Sequence, residues 1–338
     1  MRIVGAGTWL DAGRPVQAER VVELGTLSGL VEYTPGDLTL TARAGTTLTD
    51  IAQATAAERQ WLALDPYGTD EGTIGATIAT ASAGPLARAF GRPRDLVLGV
   101  EAVTGTGAVI QAGGRVVKNV AGFDLTRALT GSWGTLGVIT KVTVRLYALP
   151  AVDETFVIPA GRAWREIGPV LDRLAAAPIA PIALQVVSTA LARTLHLGVD
   201  ESAILVRIAG NARSAKAQRA ALGPAVEFPS DVWRVLRAAD AGRGPVFRCS
   251  DLPTRVGAIW DALGTAQLMM DASPRRGVVR CIGSAALPDG VGTVIGERLP
   301  SAAWQALGSG PASDLLSRDL RAAFDPACLL NPGIFGHA

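Results

Sequence analysis

Histidine and cysteine are scarce in this chain of 338 residues: there are two histidines, His196 and His337, and three cysteines, Cys249, Cys281 and Cys328. Three separated thiols without a CxxC cannot supply the four thiolates of an iron–sulfur cluster. They also give no disulfide framework, which fits a reducing compartment. Two distant histidines cannot build a histidine-rich metal site, and no metal is expected. Lysine is limited to Lys118, Lys141 and Lys216, so the positive charge is nearly all arginine. No basic run appears, and 32 basic against 30 acidic residues leave a net charge of +2; nucleic acid is therefore not an expected partner. No stretch approaches the roughly 20 apolar residues of a membrane span. Met1–Gly7 lacks the apolar run of a secretory signal. The expected location is the cytoplasm, with at most peripheral attachment at the inner face of a membrane. Apolar residues are plentiful at 49%, with 18% charged, enough to bury a core in about two domains of roughly 150 residues each.

The first 150 residues read as short strands and loops rich in glycine and threonine. Leu38–Ala44 alternates as a strand, and Thr47 is placed to cap a helix with Leu48, Ile51, Ala52 and Ala56 on one face. Leu96–Thr104 and Ala108–Gln111 flank Gly105-Thr106-Gly107, a hairpin signal. Val138–Leu146 is a further strand. Beyond Pro150 the composition changes. Helices are expected at Trp164–Ala177, Ala212–Leu222 and Thr254–Leu263, and strands at Ile182–Ser188, Ser202–Ile208, Val246–Cys249 and Gly277–Ile282. That order predicts an α+β domain with an antiparallel sheet packed by helices. Leu315–Phe335 reads as a helix ending in an extended Asn331-Pro332-Gly333 tail.

Four glycine-rich segments mark the N-terminal part. Val4-Gly5-Ala6-Gly7-Thr8 allows consecutive N–H groups to face an anion, though a tight turn uses the same residues. Asp65-Pro66-Tyr67-Gly68 leads to Gly72–Gly84, a run of small residues that admits a pyrophosphate near a helix N-terminus. Close packing of a helix on a sheet needs small residues equally. Gly113–Arg127 contains Lys118-Asn119-Val120-Ala121-Gly122-Phe123-Asp124-Leu125, and Thr130–Thr140 contains Gly131-Ser132-Trp133-Gly134-Thr135-Leu136-Gly137-Val138-Ile139.

The run from Gly72 to Leu146 resembles the FAD-binding domain of the p-cresol methylhydroxylase/vanillyl-alcohol oxidase-type family. The family's T-I-G-G, K-N-x-A-G-Y-D-L and G-S-x-G-T-L-G-V-I segments correspond to Thr73–Ala76, Lys118–Leu125 and Gly131–Ile139. Phe324-Asp325-Pro326 and Leu330-Asn331-Pro332-Gly333 are similar to its C-terminal F-D-P…N-P-G. Within the family, the likeness is greatest to the FAD-binding E subunits of bacterial glycolate oxidases. The resemblance implies an FAD domain (1–150), a cap domain whose antiparallel sheet roofs the flavin (151–312), and a C-terminal segment (313–338) that returns to the FAD domain. It implies FAD held by Gly5, Ala6, Gly7, Thr8 and Pro66, and by Gly72, Thr73, Ile74, Gly75, Ala76, Ala79, Ala83 and Gly84. Lys118, Asn119, Gly122, Phe123, Asp124, Gly137, Val138 and Ile139 complete the implied set. With neither histidine nor cysteine in residues 1–150, the FAD is expected to be non-covalent.

Three departures stand out. The chain begins at the first pyrophosphate loop, where family members carry a further strand and helix. Ala76 replaces a glycine, which a methyl group permits only at negative φ. Phe123 replaces a tyrosine and loses its hydroxyl.

The resemblance implies a small 2-hydroxy-acid substrate, and catalytic flavoprotein and iron–sulfur subunits as partners. The histidine-rich metal segment of related catalytic subunits is missing here. Arg248 and Arg280, each inside an expected strand, are candidates to clasp a substrate carboxylate if they point inward; outward, they are solvated. His196 alternates with leucines and reads as a structural strand residue. Two readings stay open: an FAD-dependent oxidoreductase acting on CH–OH groups, and a flavin-holding scaffold subunit without turnover of its own.

Overall fold

The computed structural model describes residues 1–114, 124–264, 268–283, 290–306 and 314–336. The chain divides into two compact units: Met1–Gly84, Phe90–Leu149 and Trp304–Ala338 form the first, Pro85–Ala89 and Pro150–Ala303 the second. Among the described residues no helix is long and apolar enough to cross a membrane.

The first unit contains β1 (Arg2–Val4), β2 (Val21–Glu23), β3 (Leu30–Thr34), β4 (Thr39–Arg43), β5 (Gln60–Trp61), β6 (Val97–Val103), β7 (Val109–Gly113), β8 (Val138–Arg145) and β9 (Tyr147–Ala148). β1 and β2 pair in parallel, and β3-β4-β8-β6-β7 form an antiparallel sheet in that order. Strand alternation sets its faces: Leu40 and Ala42 of β4 and Val142 and Val144 of β8 enter the core. On the other face the paired Thr41 and Thr143 bring their hydroxyls to 2.9 Å.

Against the core face lie helices Leu48–Ala56 and Ile74–Thr80. The first opens with a reciprocal cap, in which Thr47 Oγ1 accepts from the Asp50 N–H at 3.0 Å and Asp50 accepts from the Thr47 N–H. The C-terminal helix is shorter than expected, Leu315–Phe324. It stops because the buried carboxylate of Asp325 accepts the N–H groups of Leu329 and Leu330, at 3.0 and 2.7 Å, in a turn no helix continues. A side chain at Gly105 would collide with Asp325, so the hairpin glycine lets the tail approach as well as the chain turn.

The second unit contains β10 (Val152–Pro159), β11 (Ala183–Val187), β12 (Ala203–Gly210), β13 (Val226–Phe228), β14 (Val246–Ser250), β15 (Met269–Ser273), β16 (Val278–Ile282) and β17 (Thr293–Arg298). They make one antiparallel sheet in the order β13-β10-β12-β11-β15-β16-β14-β17. Both faces are covered, so central strands read as nearly unbroken apolar runs. In β12, Ile204, Val206 and Ile208 pack under helices Trp164–Ala176, Ala212–Ala221 and Val256–Gly264. Ala203 and Leu205 meet helices Thr189–Thr194 and Val232–Arg237 on the other face. His196 is not on a strand: it lies just beyond helix Thr189–Thr194 with φ of 54°, exposed, between the buried Leu195 and Leu197.

Candidate cofactor site

In the first unit, β1 runs into the loop Gly5–Thr8, which edges a cavity of about 130 Å³. Gly5 has no room for a side chain, because a Cβ there would run into the hydroxyl of Thr73. Gly7 sits at φ of +74°, where glycine is at home. Among the described residues no hydrogen bond occupies the main-chain N–H groups of Ala6, Gly7 and Thr8. Exposed main-chain donors beside small side chains form a cradle suited to phosphate oxygens.

Opposite this loop lies the start of helix Ile74–Thr80. Its first donors are already used: Ile74 N–H bonds to Thr46 O at 2.9 Å, Gly75 N–H to Ala44 O at 2.9 Å, and Ala76 N–H to Thr73 Oγ1 at 3.3 Å. The anion site expected at this helix start is therefore closed, and the free donors belong to Ala6–Thr8. The helix contributes surface instead: Gly75, Ala76 and Ala79 line the cavity with hydrogen and methyl groups. Ala76 is inside the helix, outside the positive-φ set, so its methyl group is tolerated. At the far end, Gly131 N–H and Trp133 N–H cap the carbonyls of Ile78 and Ala79, at 3.0 and 2.8 Å, which fixes the Gly131–Gly134 loop against the helix.

The third wall comes from the tail. Asn331 Oδ1 accepts from the Ile3 N–H at 2.8 Å, and Asn331 Nδ2 donates to Trp133 O at 2.7 Å. Ile3, Trp133 and Asn331 all line the cavity, so one buried amide ties the β1 loop, the glycine loop and the tail together.

Of the residues that the resemblance pointed to, Gly5, Ala6, Gly7, Thr8, Thr73, Gly75, Ala76, Ala79, Gly137 and Ile139 line this cavity. Pro66, Gly72, Ile74, Ala83, Gly84, Asp124 and Val138 do not. Ile74 is wholly buried in the core, and Gly84 is pressed against Asp65. Asp124 caps helix Leu125–Leu129 through the Arg127 N–H at 3.1 Å. Lys118, Asn119, Gly122 and Phe123 lie outside the described residues. Trp9, Leu10, Trp133 and Asn331 line the cavity without having been expected. Only the N-P-G tail motif hinted at Asn331.

The two arginine candidates lie in the second unit. Arg280 is buried, with Nη2 at 2.5 Å from Asp240 and Nε at 2.7 Å from Glu297. Arg298 shares the same Asp240 oxygen at 2.8 Å. The fork that would clasp a substrate carboxylate thus holds the protein's own carboxylates. Arg248, half-exposed, stands 3.7 Å from Glu297. Cys249 and Cys281 are buried side by side, and the hydrogen bond to Cys249, with burial, pushes the Cys281 thiol above its ordinary range. Among the described residues no group of three or more His, Cys, Asp or Glu is arranged to hold a metal.

The family model described as an FAD binding domain matches residues 1–113. The chain is 30% identical to the glycolate oxidase subunit GlcE of Escherichia coli (strain K12) over 258 residues, 71% of this chain and 69% of that one. It is 37% identical over 144 residues to a D-lactate dehydrogenase of Archaeoglobus fulgidus, and 34% identical over 154 residues to the glycolate oxidase subunit GlcD of Bacillus subtilis (strain 168). Those two alignments span only 32% and 33% of the longer relatives. Alkyldihydroxyacetonephosphate synthase superposes with a TM-score of 0.69 over 98% of this chain and 71% of its own, at 15% identity, and so shares the fold. The free amides beside small side chains fit a dinucleotide cofactor, in keeping with the FAD binding domain matched at residues 1–113, and the chain belongs to the family of the glycolate oxidase subunit GlcE.

Proposed function

We propose that this chain binds FAD non-covalently and serves in a complex that oxidises a small 2-hydroxy acid such as glycolate. The observation that carries the proposal is the cradle of Ala6, Gly7 and Thr8, with unoccupied N–H groups in a cavity lined by Thr73, Ala76 and Asn331. At about 130 Å³ it is smaller than the roughly 300–1,000 Å³ of a whole small-molecule pocket, and it suits the pyrophosphate portion of the cofactor. FAD, when bound, supplies the capacity to take a hydride equivalent from the hydroxyl-bearing carbon. Ala6, Gly7 and Thr8 would donate to phosphate oxygens, Arg2 would add positive charge at the rim, and Ala76 and Ala79 would let the cofactor pass close to the helix. By the likeness to a glycolate oxidase subunit, electrons would leave through partner subunits, among them an iron–sulfur protein; the three cysteines of this chain cannot ligate such a cluster. A cytoplasmic location suits such a complex.

The second reading is a flavin-holding subunit without turnover of its own. It is favoured by Arg280, whose guanidinium is engaged by Asp240 and Glu297. The absorption spectrum of the purified chain before and after acid precipitation tests the shared premise: a flavin spectrum released into the supernatant is expected. A colourless protein that takes up no added FAD would refute both readings. Anaerobic bleaching of the flavin by glycolate or D-lactate, in the isolated chain and again with partner subunits, then separates them.

A further inference from the structure

The second unit holds a cavity of about 360 Å³ that the flavin reading leaves unused. The apolar part of its wall is made by Trp164, Leu171 and Leu174 of helix Trp164–Ala176, Leu184 of β11, and Pro181 and Pro253. Arg88 and Arg275 line it too, and both also line an adjoining cavity of about 390 Å³ that includes Arg276. Arg88 belongs to the short segment Pro85–Ala89 of this unit, and its Nε donates to Pro181 O at 3.2 Å. Arg275 sits in the turn Pro274–Arg276 between β15 and β16, closed by the Gly277 N–H on Pro274 O at 3.1 Å. Gly277 has φ of +66°, and a side chain there would strike the Asp251 carbonyl, so the turn holds one shape.

Among the described residues neither Arg88 nor Arg275 has a carboxylate partner, and Asp172, the acid on the wall, pairs with neither. Two guanidinium groups thus line one partly apolar space, neither of them ion-paired, with Asp172 the one acid on its wall. Burial, and then the charge of Arg275, lower the pKa of Arg88 from its ordinary value. Arginine does not deprotonate in proteins, so both groups keep their charge, Arg88 partly buried and Arg275 exposed. A planar carboxylate matches the guanidinium fork better than a point ion does, while the tryptophan, leucine and proline walls suit an apolar body. The volume falls within the range of small-molecule pockets, roughly 300–1,000 Å³.

We propose that this cavity binds a small organic carboxylate with an apolar or aromatic body, its carboxylate held between Arg88 and Arg275 and its body against Trp164 and Leu184. The site lies within the second unit and does not depend on the flavin reading.

Calorimetric titration of the full chain with phenylacetate tests it, with phenylacetamide and inorganic phosphate as comparison probes. Phenylacetate is expected to bind about tenfold or more tightly than the amide, the difference that one charge-assisted hydrogen bond provides. R275A is expected to weaken it by a similar factor, and because Arg275 is exposed the unfolding midpoint should hold. R88K keeps the charge, loses the fork, and should also weaken binding. The proposal is overturned if phenylacetate gives no heat of binding, if amide or phosphate binds as well as the acid, or if R275A binds unchanged.

Discussion

Asn331 Oδ1 accepts the main-chain N–H of Ile3 at 2.8 Å, joining the tail to β1 across almost the whole length of the chain. The same side chain donates to Trp133 O, and the Asn331 N–H bonds to Met1 O at 2.9 Å. Asn331 itself stands at φ of 44°, a region that asparagine tolerates better than most residues. N331A is expected to release both side-chain bonds and to lose about 1–3 kcal/mol of stability, with groups left unsatisfied in a buried place. N331G relieves the backbone but leaves the bonds unmade. Both variants should lose flavin on gel filtration, and N331G should unfold at the higher temperature if the left-handed backbone matters.

Gly5 and Thr73 are coupled by space. A methyl group at Gly5 meets the Thr73 hydroxyl, whereas the Thr73 Cβ lies at an ordinary 3.4 Å. G5A is expected to destabilise the first unit and to displace flavin. T73A alone should cost about 1 kcal/mol, the usual loss of a helix cap. Combined, G5A/T73A should be more stable than the sum of the two single changes predicts, by roughly 0.5–3 kcal/mol. Strict additivity in chemical denaturation would show that the clash does not set the cost.

What was legible in the sequence follows its periodicity. β4, β8 and β12 announce themselves by alternation or by an apolar run, and Thr47 is a readable cap, while the reciprocal role of Asp50 emerged from the structure. β15 was not legible, because its interior positions are polar: Gln185 donates to Asp271 at 3.3 Å and accepts from Ser273 at 2.6 Å. A buried network of that kind reads as a loop until its partners are known. The pattern Leu195-His196-Leu197 misled in the opposite sense, since two buried leucines flank a turn as well as they flank a strand residue. In the cofactor site the glycine loops were visible. The closed start of helix Ile74–Thr80 was not, because its donors are taken by the carbonyls of Ala44 and Thr46 and by Thr73, and backbone partners leave no mark on side-chain patterns.

The cluster of Arg280, Arg298, Asp240 and Glu297 concentrates buried charge in the second unit, with Asp240 and Arg280 each 1% exposed. One Asp240 oxygen serves both arginines, so D240N leaves two guanidinium groups facing a neutral amide. Loss of one member of a buried pair costs about 3–5 kcal/mol. D240N is therefore expected to lower the unfolding midpoint far more than R248A, whose half-exposed side chain is 3.7 Å from Glu297. Comparable midpoints for the two variants would mean that the cluster is not what holds this end of the sheet.

Glu101 on β6 faces Lys141 on β8, with Nζ at 2.7 Å from the carboxylate. The hydrogen bond from Lys141, followed by those from Thr140 and Gln111, holds the Glu101 carboxyl below its ordinary value, and partial burial works against them. A depressed carboxyl pKa adds stability that is complete above the unfolded value, about 4.3 for glutamate, and that is lost as the pH falls through the folded value. E101Q has no such contribution. The difference in unfolding midpoint between the parent and E101Q should be constant from about pH 8 to 5.5 and close as the pH drops below about 4. Lys141 is 39% exposed on its side chain, so the gap should also shrink in high salt. A gap that persists unchanged at pH 3 would show that Glu101 acts through shape or neutral hydrogen bonds, not through its charge.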